Sequence, residues 1–223
     1  MGELKGKQLA SKWVKTAALL SNPDVANHIP ETKRFNGENL KSMLKAHGMV
    51  VIKPIVGAGG HGVIKVTSES KNYSYMYYSK IVHTQSFSAL VASLNKLRKG
   101  RAYLIQKGIQ LATVDGRPID YRVKYVKDGE SWEYRAIVGR IARPGLFVTN
   151  LCRGGTMVKG KQGLSRSFSP EHASKLKKEM RRLTVDATRT LEEKIPGVRQ
   201  LGFDYGIDKQ GNIWILEVNT RPQ

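Results

Sequence analysis

A single cysteine, Cys152, stands in the 223 residues, so neither an internal disulfide nor a cysteine zinc cluster can be built from this sequence. A reducing, cytoplasmic setting is the expectation, with Cys152 as a small buried filler. No run of about 18 apolar residues is present, so nothing reads as a membrane span and no membrane partner is expected. Met1 to Lys15 is basic without an apolar centre, and no secretory signal is predicted there. Acidic residues are scarce: 18 Asp plus Glu stand against 38 Lys plus Arg, a formal net charge of +20. Such a field attracts polyanions, whether nucleic acid, nucleotide or acidic peptide, and does not choose among them. The cationic runs are short, Lys177-Lys178 and Arg181-Arg182, so there is no disordered basic tail.

Several signatures of covalent and metal chemistry are missing as well. His28, His47, His61, His83 and His172 are scattered without metal-ligand spacing. No G-x-S-x-G elbow and no G-x-x-x-x-G-K-[ST] loop occurs. No repeat or low-complexity segment stands out, and nothing in the chain defines an oligomeric state. What these absences leave is chemistry by positioning and charge neutralisation.

Apolar residues make up 40% and charged residues 25%, enough for a packed core at this length. Two halves break near Gly108. In the first, Leu40, Met43, Leu44 and His47 have helical spacing over Gly37 to His47, with Gly48 as terminator. Met49 to Pro54 reads as a strand, Val63 to Thr67 as its hairpin partner and Tyr73 to Tyr78 as a third strand. Phe87 to Leu97 reads as a helix closed by Gly100, and Ala102 to Gln106 as a strand. In the second half, Tyr121 to Lys127 and Trp132 to Val138 flank an Asp128-Gly129 turn. Ser169-Pro170 opens a long helix with apolar positions Leu176, Met180, Leu183, Ala187, Leu191 and Ile195. Phe203 to Asp208 and Asn212 to Val218 close the chain as a hairpin. Strand runs with separated helices predict α+β rather than a doubly wound sheet.

Two constellations carry chemistry. Lys53 lies near the end of an apolar strand, and Gly57, Gly59, Gly60 and Gly62 follow at once. Glycines let backbone N–H groups approach phosphate oxygens closely; a plain flexible turn is the competing reading. In the last hairpin, strict alternation puts Ile213, Ile215, Glu217 and Asn219 on one face. With a four-residue loop, Asp208 pairs with Ile213 and Asp204 lies opposite Glu217. Two carboxylates so close call for a cation between them, and hard oxygen donors suit magnesium; a solvated acidic face is the alternative. Arg122, Arg140 and Arg153 add guanidinium groups suited to phosphate or carboxylate, with Asn150 and Gly154-Gly155 beside Arg153.

Together these residues resemble the ATP-grasp superfamily, in particular its YheC/YheD group associated with bacterial endospore coats. The likeness lies in Lys53-Pro54 with Gly57 to Gly62, in LIQKGIQLATVDGRPIDYR from Leu104 to Arg122, in Arg140 with Asn150 to Gly155, and in LGFDYGIDKQGNIWILEVNTRP from Leu201 to Pro222. The last two runs also resemble the ribosomal-protein glutamate ligase and related peptide ligases. The likeness extends from about Lys12 to Pro222, and the ordered set of four motifs makes it specific.

The resemblance implies an α+β fold of two subdomains that clamp ATP between them: residues 1–48 as a helical lead-in, 49–107 as the small subdomain and 108–223 as the C-terminal one. It implies that Lys53, the four glycines and, less directly, Lys12 meet the phosphates. It implies that Gln106 and the backbone of Lys107 to Ile109 meet adenine. Asp204, Glu217 and Asn219 would hold one or two magnesium ions, or manganese in their place. Arg140 and Asn150 would face the γ-phosphate and acyl phosphate, with Arg153 beside them, and Arg122 and Arg153 would take an acidic substrate.

Two departures from the family matter. Its members carry a further N-terminal domain, whereas this chain begins almost at the core. Their metal-site proline is followed by glycine and more chain, whereas here Gln223 follows Pro222, so a short or truncated form is expected. The resemblance implies an ATP-dependent carboxylate–amine ligase, and the charge favours an acidic small molecule, peptide or protein as its substrate. An ATP-grasp phosphotransferase and a non-catalytic coat protein that keeps the fold are the rivals. Nucleic-acid binding ranks last, because no base-stacking motif accompanies the charge.

Overall fold

The computed structural model describes residues 6–69 and 72–222; Met1 to Lys5, Ser70, Lys71 and Gln223 lie outside the described residues, and with them the first part of the predicted lead-in and the chain end. The chain divides into two compact units. The larger comprises Met1–Ile29, Gln110–Pro144 and Val148–Gln223, and the smaller Pro30–Ile109 with Gly145–Phe147. The described residues of the predicted lead-in are therefore shared out, those up to Ile29 with the larger unit and Pro30 onward with the smaller.

The larger unit begins with α1 (Lys12–Leu20), capped by Ser11 accepting from the Val14 N–H, and α2 (Pro23–Ala26), capped by Asn22. The resemblance implied helix in this lead-in, but spacing alone did not locate either one: α1 buries Lys12, Lys15 and Leu19, two cations on a face where apolar spacing is the usual signal.

The smaller unit carries β1 (Thr32–Arg34), α3 (Gly37–His47), β2 (Met49–Pro54), β3 (Ile64–Glu69), β4 (Asn72–Tyr77), β5 (Lys80–Thr84), α4 (Phe87–Arg98) and β6 (Tyr103–Lys107). Asn36 caps α3, and Gly48 ends it in the left-handed region at φ 67°. At the end of α4 the left-handed cap residue is Lys99, one position before the expected Gly100. The strands form one antiparallel sheet in the order β1-β6-β2-β3-β4-β5. Leu40, Met43, Leu44, Leu90 and Leu94 pack on Val50, Ile52, Ile64 and Val66 as its core.

The rest of the larger unit is β7 (Thr113–Val114), β8 (Arg117–Asp128), β9 (Ser131–Ile141), a 3-10 turn at Leu151–Arg153, β10 (Thr156–Lys159), α5 (Gly160–Ser167), α6 (Pro170–Lys194), β11 (Gln200–Ile207) and β12 (Ile213–Asn219). Its sheet is antiparallel, in the order β10-β9-β8-β11-β12, with β7 beside β8. Every strand pair in both units is antiparallel, which makes the chain α+β. Met180, Leu183, Ala187 and Leu191 of α6 join Tyr121, Val123, Phe203 and Tyr205 of the sheet in one core. The leucine, valine, methionine and phenylalanine side chains among them each contribute about 1.5–3 kcal/mol by leaving water. Helix α5 escapes sequence reading because Gly160 and Gly163 weaken its pattern. They are needed: a Cβ at Gly160 would sit 2.7 Å from the Ile137 carbonyl oxygen, and one at Gly163 would sit 2.8 Å from Ile119 Cδ1. Among the described residues no helix is long and apolar enough to cross a membrane.

Candidate functional site

Alternation along β8 and β11 sorts the larger unit's residues by chemistry. Ile119, Tyr121 and Val123, with Leu201, Phe203, Tyr205 and Ile207, turn into the core. Asp120, Arg122 and Asp204 therefore share the opposite face. Arg122 lies directly across from Asp204, and Arg140 of β9 directly across from Asp120. Arg122 donates from Nε to Asp204 Oδ1 and, at 2.9 Å, from Nη2 to Oδ2. Arg140 grips Asp120 at 2.8 and 2.5 Å and reaches Asp204 Oδ1 at 3.1 Å. Thr149 also bonds to the Asp120 carboxylate. The result is a ladder of alternating charge, buried at Asp120, Arg140 and Asp204.

β12 brings the second carboxylate by an unexpected route. Ile207, not Asp208, pairs with Ile213, and strict alternation from there would turn Glu217 to the core side with Ile213 and Ile215. A bulge shifts the register between Asp204 and Tyr205, so that Tyr205 faces Ile215 while Asp204 faces Glu217. Val218 then returns to the core, which leaves Glu217 and Asn219 on the charged side. The four residues predicted to share one face are thus divided between two, although the predicted Asp204–Glu217 pairing stands. Asp208 instead organises the turn, accepting from the Gln210 and Asn212 N–H groups, the Asn212 amide and Trp214 Nε1.

Two lysines of α1 complete the cluster. Lys12 Nζ is 3.3 Å from Glu217 Oε1. Lys15 donates to the Leu9 carbonyl at 3.0 Å. Burial pulls the Lys15 ammonium down to about 8, against the attraction of Glu217 and with help from Lys12. Burial pushes the Asp204 carboxyl up, but Arg140 and Arg122 outweigh it and hold the group below the usual carboxylate range. At Asp120 burial prevails and its pKa is raised, with Arg140 opposing. Sequence reading missed Asp120, Thr149 and Lys15. The signals for two of them were there: Asp120 sits two residues before Arg122 in an alternating strand, and Lys15 sits at i+3 from Lys12.

The loop after β9 places Asn150 at the start of the 3-10 turn, its carbonyl accepting from the Arg153 N–H at 2.9 Å. Gly155 is tightly packed there, since a Cβ would lie 2.6 Å from the Thr149 carbonyl oxygen. Cys152 is exposed, not the buried filler expected, because the turn presents it outward between Leu151 and Arg153.

In the smaller unit, Lys53 of β2 is buried beside its cross-strand partner Leu104. The β2–β3 connection holds Gly57, Gly59, Gly60 and Gly62, all at positive φ. Gly62 has a packing reason of its own: a Cβ would stand 2.6 Å from the Tyr103 hydroxyl and 2.9 Å from Pro54 Cγ. Gln106 is buried, and its amide donates to Thr32 Oγ1 at 2.9 Å. The N–H groups of Lys107 and Gly108 bond to the Glu31 and Met49 carbonyls, so those backbone donors are already used within the unit; Ile109 ends it.

No group of three His, Cys, Asp or Glu able to hold a metal occurs among the described residues. The candidate metal set is instead the Asp204–Glu217 pair with the Asn219 amide oxygen, all hard oxygen donors on one face, a chemistry that fits magnesium.

The comparisons with known proteins agree on the family and fold. The family model described as YheC/D-like ATP-grasp matches residues 3–223. Among curated proteins, the chain is 27% identical over 231 residues to the endospore coat-associated protein YheD of Bacillus subtilis (strain 168), covering 97% of this chain and 49% of YheD. It is 27% identical over 227 residues to YheC of the same organism, covering 99% of this chain and 62% of YheC. The chain thus spans about half of one curated relative and under two thirds of the other. Among solved structures, N5-carboxyaminoimidazole synthetase from Staphylococcus aureus complexed with ADP superposes with a TM-score of 0.60 at 10% identity, over 97% of this chain and 46% of that one.

Proposed function

The chain belongs to the YheC/D-like ATP-grasp family, and from that premise we propose that it is an ATP-dependent carboxylate–amine ligase acting on an acidic substrate. The observation that carries the reading is the juxtaposition of Asp204 and Glu217, with Asn219 beside them, against Arg122, Arg140 and Lys12. Oxygen donors for a metal and guanidinium groups for phosphate or carboxylate stand within one cluster. That a structurally similar synthetase is known with ADP bound supports nucleotide binding by this fold.

In this reading Lys53 and the Gly57–Gly62 backbone hold nucleotide phosphates. Gln106 and the segment to Ile109 meet the base. Asp204, Glu217 and Asn219 hold magnesium, which when bound supplies charge neutralisation to the phosphates. Arg140 and Asn150 stabilise the oxygens of the γ-phosphate. Arg122 and Arg153 orient the substrate carboxylate by two-point hydrogen bonding. The substrate carboxylate oxygen bonds to the γ-phosphorus as the bond to the bridging oxygen of ADP breaks, giving an acyl phosphate. An amine then forms the amide bond, phosphate leaves, and the amine's surplus proton passes to solvent.

One observation favours a second reading. Both carboxylate oxygens of Asp204 are held by Arg122 and Arg140, an arrangement that a non-catalytic coat protein of this fold could keep. The names of the curated relatives fit that role too. Incubation with Mg-ATP and an acidic peptide, with and without free amino acids, separates the cases by mass spectrometry of the peptide. A gain of one amino acid minus water, in step with ADP and phosphate, is the expected result. A stable phosphoryl gain would make the protein a phosphotransferase, and no ADP under any condition would favour the coat protein.

A further inference from the structure

The acidic pair read above as metal ligands is not an acidic site. Asp120, Asp204 and Glu217 are met by Arg140, Arg122 and Lys12 at 3.3 Å or less, so the paired charges cancel. The buried ammonium of Lys15, bonded to the Leu9 carbonyl, adds a further cation beside them. A bare divalent ion entering this cluster would meet two guanidinium groups and an ammonium already on its ligands. It would have to displace at least two of them from the carboxylates they hold. A polyphosphate meets the reverse situation, because its oxygens can take over the donors of Lys12 and, until a substrate carboxylate replaces them there, those of Arg122. Once those cations turn to phosphate, the carboxylates they held become available to a metal.

We propose that this cluster is an anion-first site, in which Arg122 and Lys12 withhold Asp204 and Glu217 from a bare divalent cation until a polyphosphate draws them away. Arg122 and Lys12 are positioning residues in this scheme: they decide the order in which ligands enter. The inference rests on the reading of Asp204 and Glu217 as metal ligands. It goes beyond that reading in assigning the sequence of binding and the residues that impose it. It also gives the cluster's positive balance a use, since metal arriving without nucleotide would occupy the site unproductively.

The test is a binding measurement on the whole chain without turnover. Tripolyphosphate is titrated calorimetrically in the presence of EDTA, and Mn2+ alone is titrated by electron paramagnetic resonance of the free ion. The wild type is expected to bind tripolyphosphate without metal and to bind Mn2+ alone weakly. R122Q and K12Q are expected to bind Mn2+ alone at least about tenfold more tightly than the wild type, the scale of one lost charge-assisted contact. K12Q leaves the Asp204 ladder intact, so it keeps the test alive if R122Q does not fold. Wild-type protein that takes Mn2+ alone as tightly as the two variants, or no gain in either variant, overturns the proposal. So does Mn2+ binding at concentrations where tripolyphosphate does not bind. The double variant K12Q/E217Q separates this failure from that of the underlying reading. If K12Q gains Mn2+ affinity and the double variant keeps the gain, Glu217 is not a ligand and the metal reading itself falls.

Discussion

Asp204 stands directly across the β11–β12 ladder from Glu217, and a bulge in the ladder puts it there. Without the extra residue the position opposite Asp204 would be Leu216, and Glu217 would continue the inward series of Ile213 and Ile215. An unpaired carboxylate in that core would cost several kcal/mol. The bulge changes the phase of the strand between an apolar stretch that packs on α6 and a polar stretch that faces the cations. Bulges that re-aim side chains in this way are frequent beside functional sites.

Glu217→Gln should leave the fold intact, because shape is preserved and the group is only partly buried, yet abolish ADP formation. Asp204→Asn should behave differently. It takes a buried charge partner from both Arg122 and Arg140, and breaking such a pair costs about 3–5 kcal/mol. Urea denaturation of the two variants checks the contrast. Equal stabilities would mean that the Asp204 ladder carries no structural load.

Lys53→Ala should weaken Mg-ATP binding by roughly 1.5–3 kcal/mol, the scale of a charge-assisted hydrogen bond. Isothermal titration reads this directly. Unchanged affinity in a folded variant would take Lys53 out of the nucleotide site.

Lys15 gives a pH signature. Its folded pKa is depressed to about 8, below the ordinary lysine value, so the unfolded chain binds more protons between the two. Stability contributed by this group therefore rises with pH from about 8 upward and is lowest at neutral pH, where the buried ammonium costs about 3 kcal/mol. Lys15→Met should be more stable than the wild type at pH 7, and the difference should shrink between pH 8 and 10. A difference independent of pH would show that the ammonium is not desolvated.

An acidic macromolecular substrate drawn by the +20 charge should bind several-fold more weakly as salt rises, since exposed charges are screened over about 10 Å at 0.1 M. Fluorescence anisotropy with a labelled acidic peptide measures this. Salt-independent affinity would mean that the surface charge plays no part in recognition.

Local pattern carried much of this protein. Helix α3 follows from Leu40, Met43, Leu44 and a terminating Gly48, and α6 from a Ser-Pro start with apolar residues at helical spacing. The order of motifs carried the family, because each motif names a residue type at a fixed distance from the next. The alternation in β8 was legible too; the pairing of Asp204 with Glu217 was reached from a loop register that does not form, and it stands only because the bulge adds the residue that the assumed register left out. Short elements such as α2, β1, β7 and β10 were not, since two to four residues are too few to show a period.

What the sequence determined by itself is the hydrophobic faces of the long regular elements such as α3 and α6, the family and the identity of the charged residues, because these depend on residue type and near-neighbour spacing. Which charge meets which was decided only by the tertiary structure. Arg122 and Asp204 are 82 residues apart, and Lys12 and Glu217 lie at opposite ends of the chain. Their partnerships depend on sheet order, on the strand bulge and on the packing of α1 beside β12. A bulge is one extra residue with no compositional mark. The chain could therefore offer two carboxylates and an amide as candidate metal donors, but not show that arginine and lysine hold the carboxylates.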